Sequence, residues 1–175
     1  MPVSIRTVAI IGAGRHGREL ALQAARAGYI VSLEDVLPVK LRNARELIDA
    51  QLENAALVNY VSTVEDAVRT ADLAIDFVPD ELESKLEIFT MIDRMAPPRT
   101  IICSPMKSMG LVDIASCTYR PTQCLAVHSQ VDGATLLDSP LHLLRTADSN
   151  DDVVSAVQDF WQALGCEVSL EVSNI

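Results

Sequence analysis

Residues 5–17 read IRTVAIIGAGRHG, so a β-branched, apolar run leads directly into a glycine-rich turn. Gly12, Gly14 and Gly17 have the GxGxxG spacing that follows the first strand of a dinucleotide-binding unit. The first glycine permits the tight turn, the second lets the backbone approach a pyrophosphate, and the third lets a helix pack closely on the strand. That helix would present unpaired N–H groups and the positive end of its dipole to phosphates. The stretch therefore predicts a strand, a phosphate-binding turn and a helix in immediate succession.

Acidic residues close the next strand-like segment. Asp35 follows Gly12 at about the 20-residue distance at which dinucleotide-binding proteins place a ribose-binding carboxylate. A carboxylate here accepts the ribose hydroxyls of NAD and repels the 2′-phosphate of NADP, which favours NAD as the cofactor. The adjacent Glu34 could take this role instead. At the tip of the glycine turn, Arg15 and His16 either contact phosphate or ribose or are simply solvated.

Strand-like and helix-like blocks alternate along the whole chain. The predicted strands cover residues 5–11, 29–33, 57–61, 72–78, 100–103, 123–129, 141–146 and 167–172. The predicted helices cover residues 15–27, 39–52, 62–70, 81–95, 108–116 and 149–164, the third opening on a capping box at Ser62–Glu65. Such alternation is typical of a parallel sheet with right-handed crossovers. We predict one α/β domain over residues 1–175, with a doubly wound, mostly parallel sheet of the Rossmann type.

Composition narrows the classes of partner and site. The chain carries 24 acidic and 14 basic residues, a net charge of −10, which disfavours nucleic acid and anionic membranes as partners. No stretch reaches the 18 or so uncharged apolar residues of a membrane span, and no signal peptide precedes the first strand, so a cytoplasmic location is expected. The four cysteines and three histidines lack the spacings of a zinc site, so no metal is predicted and the cysteines are expected to be buried, reduced thiols.

Three blocks of the sequence resemble the NAD-binding domain of L-3-hydroxyacyl-CoA dehydrogenases. They are VAIIGAGRHGRELALQAARAGYIVSLEDV at residues 8–36, ADLAIDFVPDELESKLEIFTMIDRMAPPRTIICS at 71–104, and CLAVHS at 124–129, followed by LGCEV at 164–168. The middle block is the most specific, because it combines a strand, an acidic loop, a lysine five residues after the acid, a helix and a proline-rich stop.

The resemblance implies roles for individual residues. Asp80 and Lys85 would border the nicotinamide ribose, and His128 falls at the position of the family's catalytic histidine. An imidazole suits that role, because it can take the hydroxyl proton as hydride leaves for the nicotinamide, or return it in reduction. The positions that the resemblance implies for the cofactor are Gly12, Gly14, Gly17, Asp35, Val78, Pro79, Lys85 and Ser104.

Several positions depart from the family pattern. The family's Ser-Asn-Thr-Ser block reads Ser104-Pro105-Met106-Lys107 here, and its Phe-Phe-Asn-Pro after the histidine reads Ser129-Gln130-Val131-Asp132. His142 stands where the family has the glutamate that pairs with its histidine, which leaves Asp132 and Asp138 as candidates for the missing carboxylate. The second arm of the family's coenzyme A-binding hairpin and its helical second domain are absent from the 175 residues.

Two classes of function remain open at this stage. The first is an NAD-dependent oxidoreductase with His128 as acid/base and Lys107 as electrophile, acting on a hydroxyl/carbonyl substrate smaller than an acyl-CoA thioester. The second is a non-catalytic NAD-binding module, or the NAD-binding half of a split dehydrogenase whose helical domain lies on a partner chain. A homodimer that buries Pro105, Met106 and Met109 would supply the missing wall of the cleft.

Overall fold

The computed structural model describes residues 2–107 and 110–174 of the chain. Its strands are β1 (Thr7–Ile11), β2 (Ile30–Glu34), β3 (Val58–Val61), β4 (Leu73–Asp76), β5 (Ile101–Pro105), β6 (Cys124–Ser129), β7 (Leu141–Arg145) and β8 (Val168–Val172). Its helices are α1 (Arg15–Arg26), α2 (Pro38–Asp49), α3 (Val64–Val68), α4 (Leu82–Met95), α5 (Leu111–Ser116) and α6 (Asp151–Ala163). These elements confirm the predicted α/β class.

The eight strands form one sheet in the order β3-β2-β1-β4-β5-β6-β7-β8. Every neighbouring pair is parallel except β6 and β7, which are antiparallel. The chain leaves β1 in one direction to reach β2 and crosses back to β4, so the strand order reverses beside β1. A crevice opens at the carboxyl ends of the strands at such a reversal, and ligands of open α/β sheets bind there.

Two apolar layers cover the sheet, which explains why the first strands read as nearly continuous apolar runs. Helices α1, α2 and α6 pack on one face, where Leu20, Ile48 and Trp161 are buried. Helices α3, α4 and α5 pack on the other face, where Phe89 and Ile114 are buried. The result is the doubly wound arrangement that the alternation of strands and helices predicted.

The segment between β6 and β7, residues 130–140, turns back over the carboxyl end of β6. The antiparallel pairing of the two strands requires this return, and Gly133 adopts a positive φ of 77° within it. A single 3-10 turn at Leu136–Asp138 follows. This segment therefore forms part of the wall at the end of the sheet where the glycine turn lies.

Three local predictions differ from the structure. The cap of α3 is Thr63, whose hydroxyl accepts the N–H of Asp66 at 3.1 Å, so the capping pair lies one residue later than predicted. Met106 packs into the core beneath α5 instead of adding to an exposed patch, while Met109 lies outside the described residues. Cys117 is exposed, whereas Cys103, Cys124 and Cys166 are buried as predicted.

Candidate functional site

The glycine turn is built as a cradle for phosphate. Gly12 has a φ of 103°, which L side chains rarely adopt, and a Cβ at Gly17 would lie 1.7 Å from the carbonyl oxygen of Gly12. A Cβ at Gly14 would instead enter open space, since nothing lies within 4 Å of it. Gly14 also caps α1 without a side-chain hydrogen bond, and no acidic residue occupies the first turn of the helix. The first N–H groups of α1 therefore face a space that fits the pyrophosphate of a dinucleotide.

The two residues at the tip of the turn point in different directions. Arg15 is exposed and forms an ion pair with Glu19 one helical turn away, at 3.1 Å. The ring of His16 stacks on that of Phe77, with 6.2 Å between centroids, and lines a cavity of about 200 Å³. Contact of either side chain with phosphate or ribose stays a prediction.

A cleft of about 510 Å³ lies beside the glycine turn, between β1, β2 and β4. Asp35 lines it and is 7% exposed, and its carboxylate accepts the N–H groups of Ala13 and Leu37, each at 2.9 Å. Lys40 places its ammonium 3.9 Å from the same carboxylate. Predicted cofactor residues Val78 and Pro79 line the opposite side of the cleft. The cleft therefore presents a fixed carboxylate and an apolar wall, as an adenine ribose needs.

Glu34, the alternative ribose ligand, also lines this cleft but lies deeper. Burial raises the pKa of its carboxyl, and the nearby charge of Asp35 raises it further, while a hydrogen bond from the backbone N–H of Gly12 acts in the opposite direction. Both acids therefore line the cleft, and the choice between Asp35 and Glu34 as the ribose ligand stays a prediction.

A buried polar network lies beneath the strand ends. Lys85 donates to both carboxylate oxygens of Asp76 at 3.0 Å and contacts the hydroxyl of Ser104 at 3.0 Å, while Ser104 donates to the same carboxylate. All three side chains are buried. The polar atoms of Lys85 and Ser104 are directed at Asp76, and neither residue is among those that line the cleft, so their contact with the cofactor stays a prediction.

His128 lines a second space of about 270 Å³ at the carboxyl end of β6. Its Nδ1 lies 3.0 Å from the carbonyl oxygen of Ser129. A carbonyl can only accept, so this contact places a proton on Nδ1, and whenever the ring is neutral its lone pair is on Nε2. His128 therefore has the tautomer that a general base acting through Nε2 requires.

Lys107 borders the same space from the loop that follows β5. Its ammonium forms an ion pair with Asp132, and its backbone N–H donates to the carboxylate of Asp80 at 3.0 Å. The hydrogen bond and the charge of Lys107 lower the pKa of Asp132. The structure thus brings Lys107 and His128 to one cavity, with Asp80 and Asp132 as the acids beside them.

His142 lies directly opposite His128 in the β6–β7 pair, with 5.0 Å between ring centroids. Of the two acids predicted as the carboxylate partner of His128, Asp132 pairs with Lys107 and Asp138 accepts the hydroxyl of Thr135. The carboxylate that His142 contacts is Glu171 of β8, 3.0 Å from its Nδ1. Sequence reasoning missed Glu171, although the alternation in residues 168–172 places it on one face of β8 with Ser169.

The smaller cavity beside His16 adjoins the His128 cavity. The two share Pro105, Ala134 and Leu136 as lining residues, and Phe77 closes the smaller one from the side of β4. Its wall is mostly apolar, and residues 134–137 of the β6–β7 segment contribute much of it. The combined space suits a small organic group next to a histidine.

Metal binding and membrane insertion are the two remaining possibilities to compare with the described residues. Over residues 2–107 and 110–174, no group of three or more His, Cys, Asp or Glu side chains is arranged to hold a metal ion. None of the helices in the same ranges has the length and apolar character needed to cross a bilayer.

The sequence matches the family described as "3-hydroxyacyl-CoA dehydrogenase, NAD binding domain" over residues 7–172. A probable 3-hydroxybutyryl-CoA dehydrogenase of Bacillus subtilis is 30% identical over 141 residues, which cover 72% of this chain and 49% of that protein. The 3-hydroxybutyryl-CoA dehydrogenase of Bradyrhizobium diazoefficiens is 26% identical, and the match covers 62% of that protein. The chain thus spans about half to three fifths of the length of these relatives.

Solved structures agree with the observed fold. An (S)-3-hydroxybutyryl-CoA dehydrogenase from Ralstonia eutropha superposes with a TM-score of 0.85 over 98% of this chain and 65% of that one, at 21% identity. A 3-hydroxyacyl-CoA dehydrogenase from Archaeoglobus fulgidus gives a TM-score of 0.79 at 26% identity, over 97% of this chain and 57% of that one. The first likeness concerns the fold alone.

Proposed function

This chain belongs to the 3-hydroxyacyl-CoA dehydrogenase family through its NAD-binding domain, and on that premise we propose that it is an NAD-dependent oxidoreductase acting on a hydroxyl/carbonyl substrate smaller than an acyl-CoA. The observation that carries the proposal is His128, with its Nε2 lone pair, in a cavity beside the nucleotide cleft. Bound NAD supplies the hydride acceptor, or NADH the donor.

The chain's own residues would divide the work as follows. Gly12, Gly14 and Gly17 hold the pyrophosphate against the start of α1, and Asp35 holds the adenine ribose. His128 takes the hydroxyl proton of the substrate at Nε2 during oxidation and returns it during reduction. Lys107 would polarise the substrate oxygen, provided that its ammonium turns from Asp132 toward the cavity.

To test the proposal, NAD is incubated with each of a panel of small hydroxy acids and their esters. Reduction of NAD is monitored through the absorbance of the reduced nicotinamide. Turnover with any of them supports the enzyme. The alternative is a non-catalytic NAD-binding module, or the NAD-binding half of a split dehydrogenase. It is favoured by the altered residues Pro105 and Lys107, and it predicts saturable NAD binding in calorimetry with no turnover of the panel.

Location and assembly form part of the same proposal. The enzyme would act in the cytoplasm, as a homodimer or with a partner chain that supplies a helical domain. Water must be excluded from the cleft during hydride transfer, which requires a cover for the His128 cavity. Val131 supports such a cover, because it lines this cavity and is 52% exposed at its rim.

Cofactor choice gives a first expected result. NAD should bind at least about tenfold more tightly than NADP, a difference of about 1.4 kcal/mol, because the Asp35 carboxylate repels a 2′-phosphate. Asp35→Asn removes the charge but keeps an acceptor for the N–H of Ala13 or Leu37. Both Asp35→Asn and Asp35→Ala should lower the ratio of NAD affinity to NADP affinity. Calorimetry with both cofactors measures it. If a folded Asp35→Asn variant keeps the wild-type ratio of NAD to NADP affinity, the discrimination against NADP would be assigned to Glu34. Glu34→Gln is the matched variant for that outcome.

Coenzyme A thioesters give a second expected result. Between β2 and β4 the structure has only α2, a three-residue 3-10 turn at Ala55–Leu57, the short β3 and the five-residue α3, so no second long helix extends from this part of the described chain. The net charge of −10 also repels the phosphates of coenzyme A. We expect no saturable binding of acetoacetyl-CoA in the micromolar range by calorimetry. Micromolar affinity, or rapid NADH oxidation with this thioester, would contradict the smaller substrate.

A further inference from the structure

The face of the sheet beyond α5 carries a row of polar side chains that runs across three strands. His128 of β6, His142 of β7 and Glu171 of β8 follow one another from the cavity outward. The His128 and His142 rings are 5.0 Å apart between centroids, with 56° between their planes. The Nδ1 of His142 lies 3.0 Å from Oε1 of Glu171 and 2.9 Å from the hydroxyl oxygen of Ser169.

Two side chains of β8, Glu171 and Ser169, hold the ring of His142 in place. An ionised carboxylate can only accept, so the His142 Nδ1 carries a proton that Glu171 and Ser169 share. Ser169 is itself held by the side-chain amide of Gln130, which donates to its hydroxyl at 2.9 Å. The parallel pairing of His142 with Ser169 in the β7–β8 ladder sets the register of these groups. His142 is therefore anchored from β8 on the side away from His128.

His128 needs such support from a neighbour. The χ2 torsion of histidine has a broad energy profile, so a ring at a strand end is not oriented by its backbone alone. Among the residues that the structure describes, its Nδ1–H has one acceptor, the carbonyl of Ser129 in the same strand. The cross-strand ring of His142 limits rotation of the His128 ring from the opposite side, as paired side chains on neighbouring strands do.

We propose that His142, anchored by Glu171 and Ser169 of β8, is a positioning residue that keeps the imidazole of His128 in the Nδ1–H tautomer, with Nε2 available to the substrate. Glu171 thus supports the acid/base through a second histidine instead of contacting it directly. The catalytic meaning of this arrangement rests on the proposed function. The arrangement itself is a property of the chain without substrate.

The test combines a spectroscopic and a kinetic readout on His142→Ala, Glu171→Ala, Glu171→Gln and the control Glu167→Ala. Glu167 is an exposed glutamate one residue before β8. Long-range ¹⁵N–¹H spectra of the imidazoles report the tautomer of His128 without any substrate. We expect one Nδ1–H tautomer in the wild type, averaging of the two tautomers in His142→Ala and Glu171→Ala, and wild-type spectra in Glu171→Gln and Glu167→Ala.

The kinetic arm uses whichever substrate the wild type turns over. For histidines that bind a metal, loss of the hydrogen-bond partner behind the ring typically costs about 10–100-fold, and we take the lower end of that range for a histidine held only through a second ring. We therefore expect kcat to fall by about tenfold in His142→Ala and Glu171→Ala with KM nearly unchanged. Glu171→Gln should recover most of the rate, because its amide oxygen still accepts from His142.

The outcomes separate this inference from the proposed function. Spectra of His142→Ala and Glu171→Ala that keep the wild-type tautomer of His128 would overturn the positioning role, whatever the rates. Averaged tautomers with an unchanged kcat would overturn it as well. If the wild type binds NAD but turns over nothing, the proposed function fails, and the spectra still decide whether His142 orients His128.

Discussion

Replacing His128 with alanine is expected to lower kcat by about 10²–10⁴-fold, the usual contribution of general acid/base catalysis, while NAD affinity stays nearly unchanged. The reason is the position of the ring. His128 lines the cavity at the end of β6, and its Nε2 is the basic atom of the neutral ring. The cofactor's pyrophosphate and adenine ribose would be held by the glycine turn and Asp35, which the substitution does not touch. Steady-state kinetics and calorimetry on the same preparation measure the two effects.

His16 provides the matched control for this experiment. Its ring stacks on Phe77 near the glycine turn and lines the smaller cavity, outside the His128 cavity itself. His16→Ala should therefore change NAD affinity without the large loss of kcat. A His128→Ala variant that retains wild-type kcat would contradict the acid/base assignment and move the role to Lys107, whose ammonium borders the same cavity.

The sequence was sufficient to predict the fold because its signals are local and redundant. The apolar run of β1, the glycine turn and the apolar face of α1 each predict the same unit, and their order along the chain is that of a doubly wound sheet. The nucleotide half of the candidate site follows from this, since the cleft lies where β1 meets β2 and β4. A capping signal such as Ser62-Thr63 is weaker, because either hydroxyl can serve as the cap.

The other half of the site depends on contacts between distant strands, which local patterns do not specify. The partner of His142 is Glu171, and only the parallel register of β7 and β8 brings them together. Lys85 presents the same difficulty. A lysine on a helix is expected at the surface, yet Asp76 at the end of β4 holds its ammonium inside the protein. The partner of a buried charge can therefore be identified only from the three-dimensional arrangement of the strands, and not from the local sequence.

The buried ion pair leads to the second large expected effect. Lys85→Met keeps most of the side-chain volume but removes the ammonium from Asp76 and Ser104. Removing one partner of a buried pair leaves an uncompensated charge, which typically costs about 3–5 kcal/mol. We expect the free energy of unfolding at neutral pH, measured in urea, to fall by about this amount. Asp76→Asn combined with Lys85→Met should recover part of it, because no buried charge then remains.

The pH dependence of this loss has a definite sign. Burial raises the pKa of Asp76, and the ammonium of Lys85 and the hydroxyl of Ser104 oppose that rise. Lys85→Met removes the stronger opposing contribution, so the pKa of Asp76 in the folded variant rises further above the unfolded value of about 3.9. A carboxyl with a raised folded pKa stabilises the protein below its unfolded pKa, and this contribution is lost as pH rises through the folded pKa. The loss of unfolding free energy in Lys85→Met should therefore be small near pH 4, which is about the unfolded pKa of an aspartate, and should grow toward neutral pH. A deficit that is equally large at both ends of this range would show that lost packing of the lysine stem, and not the unpaired buried charge of Asp76, causes it.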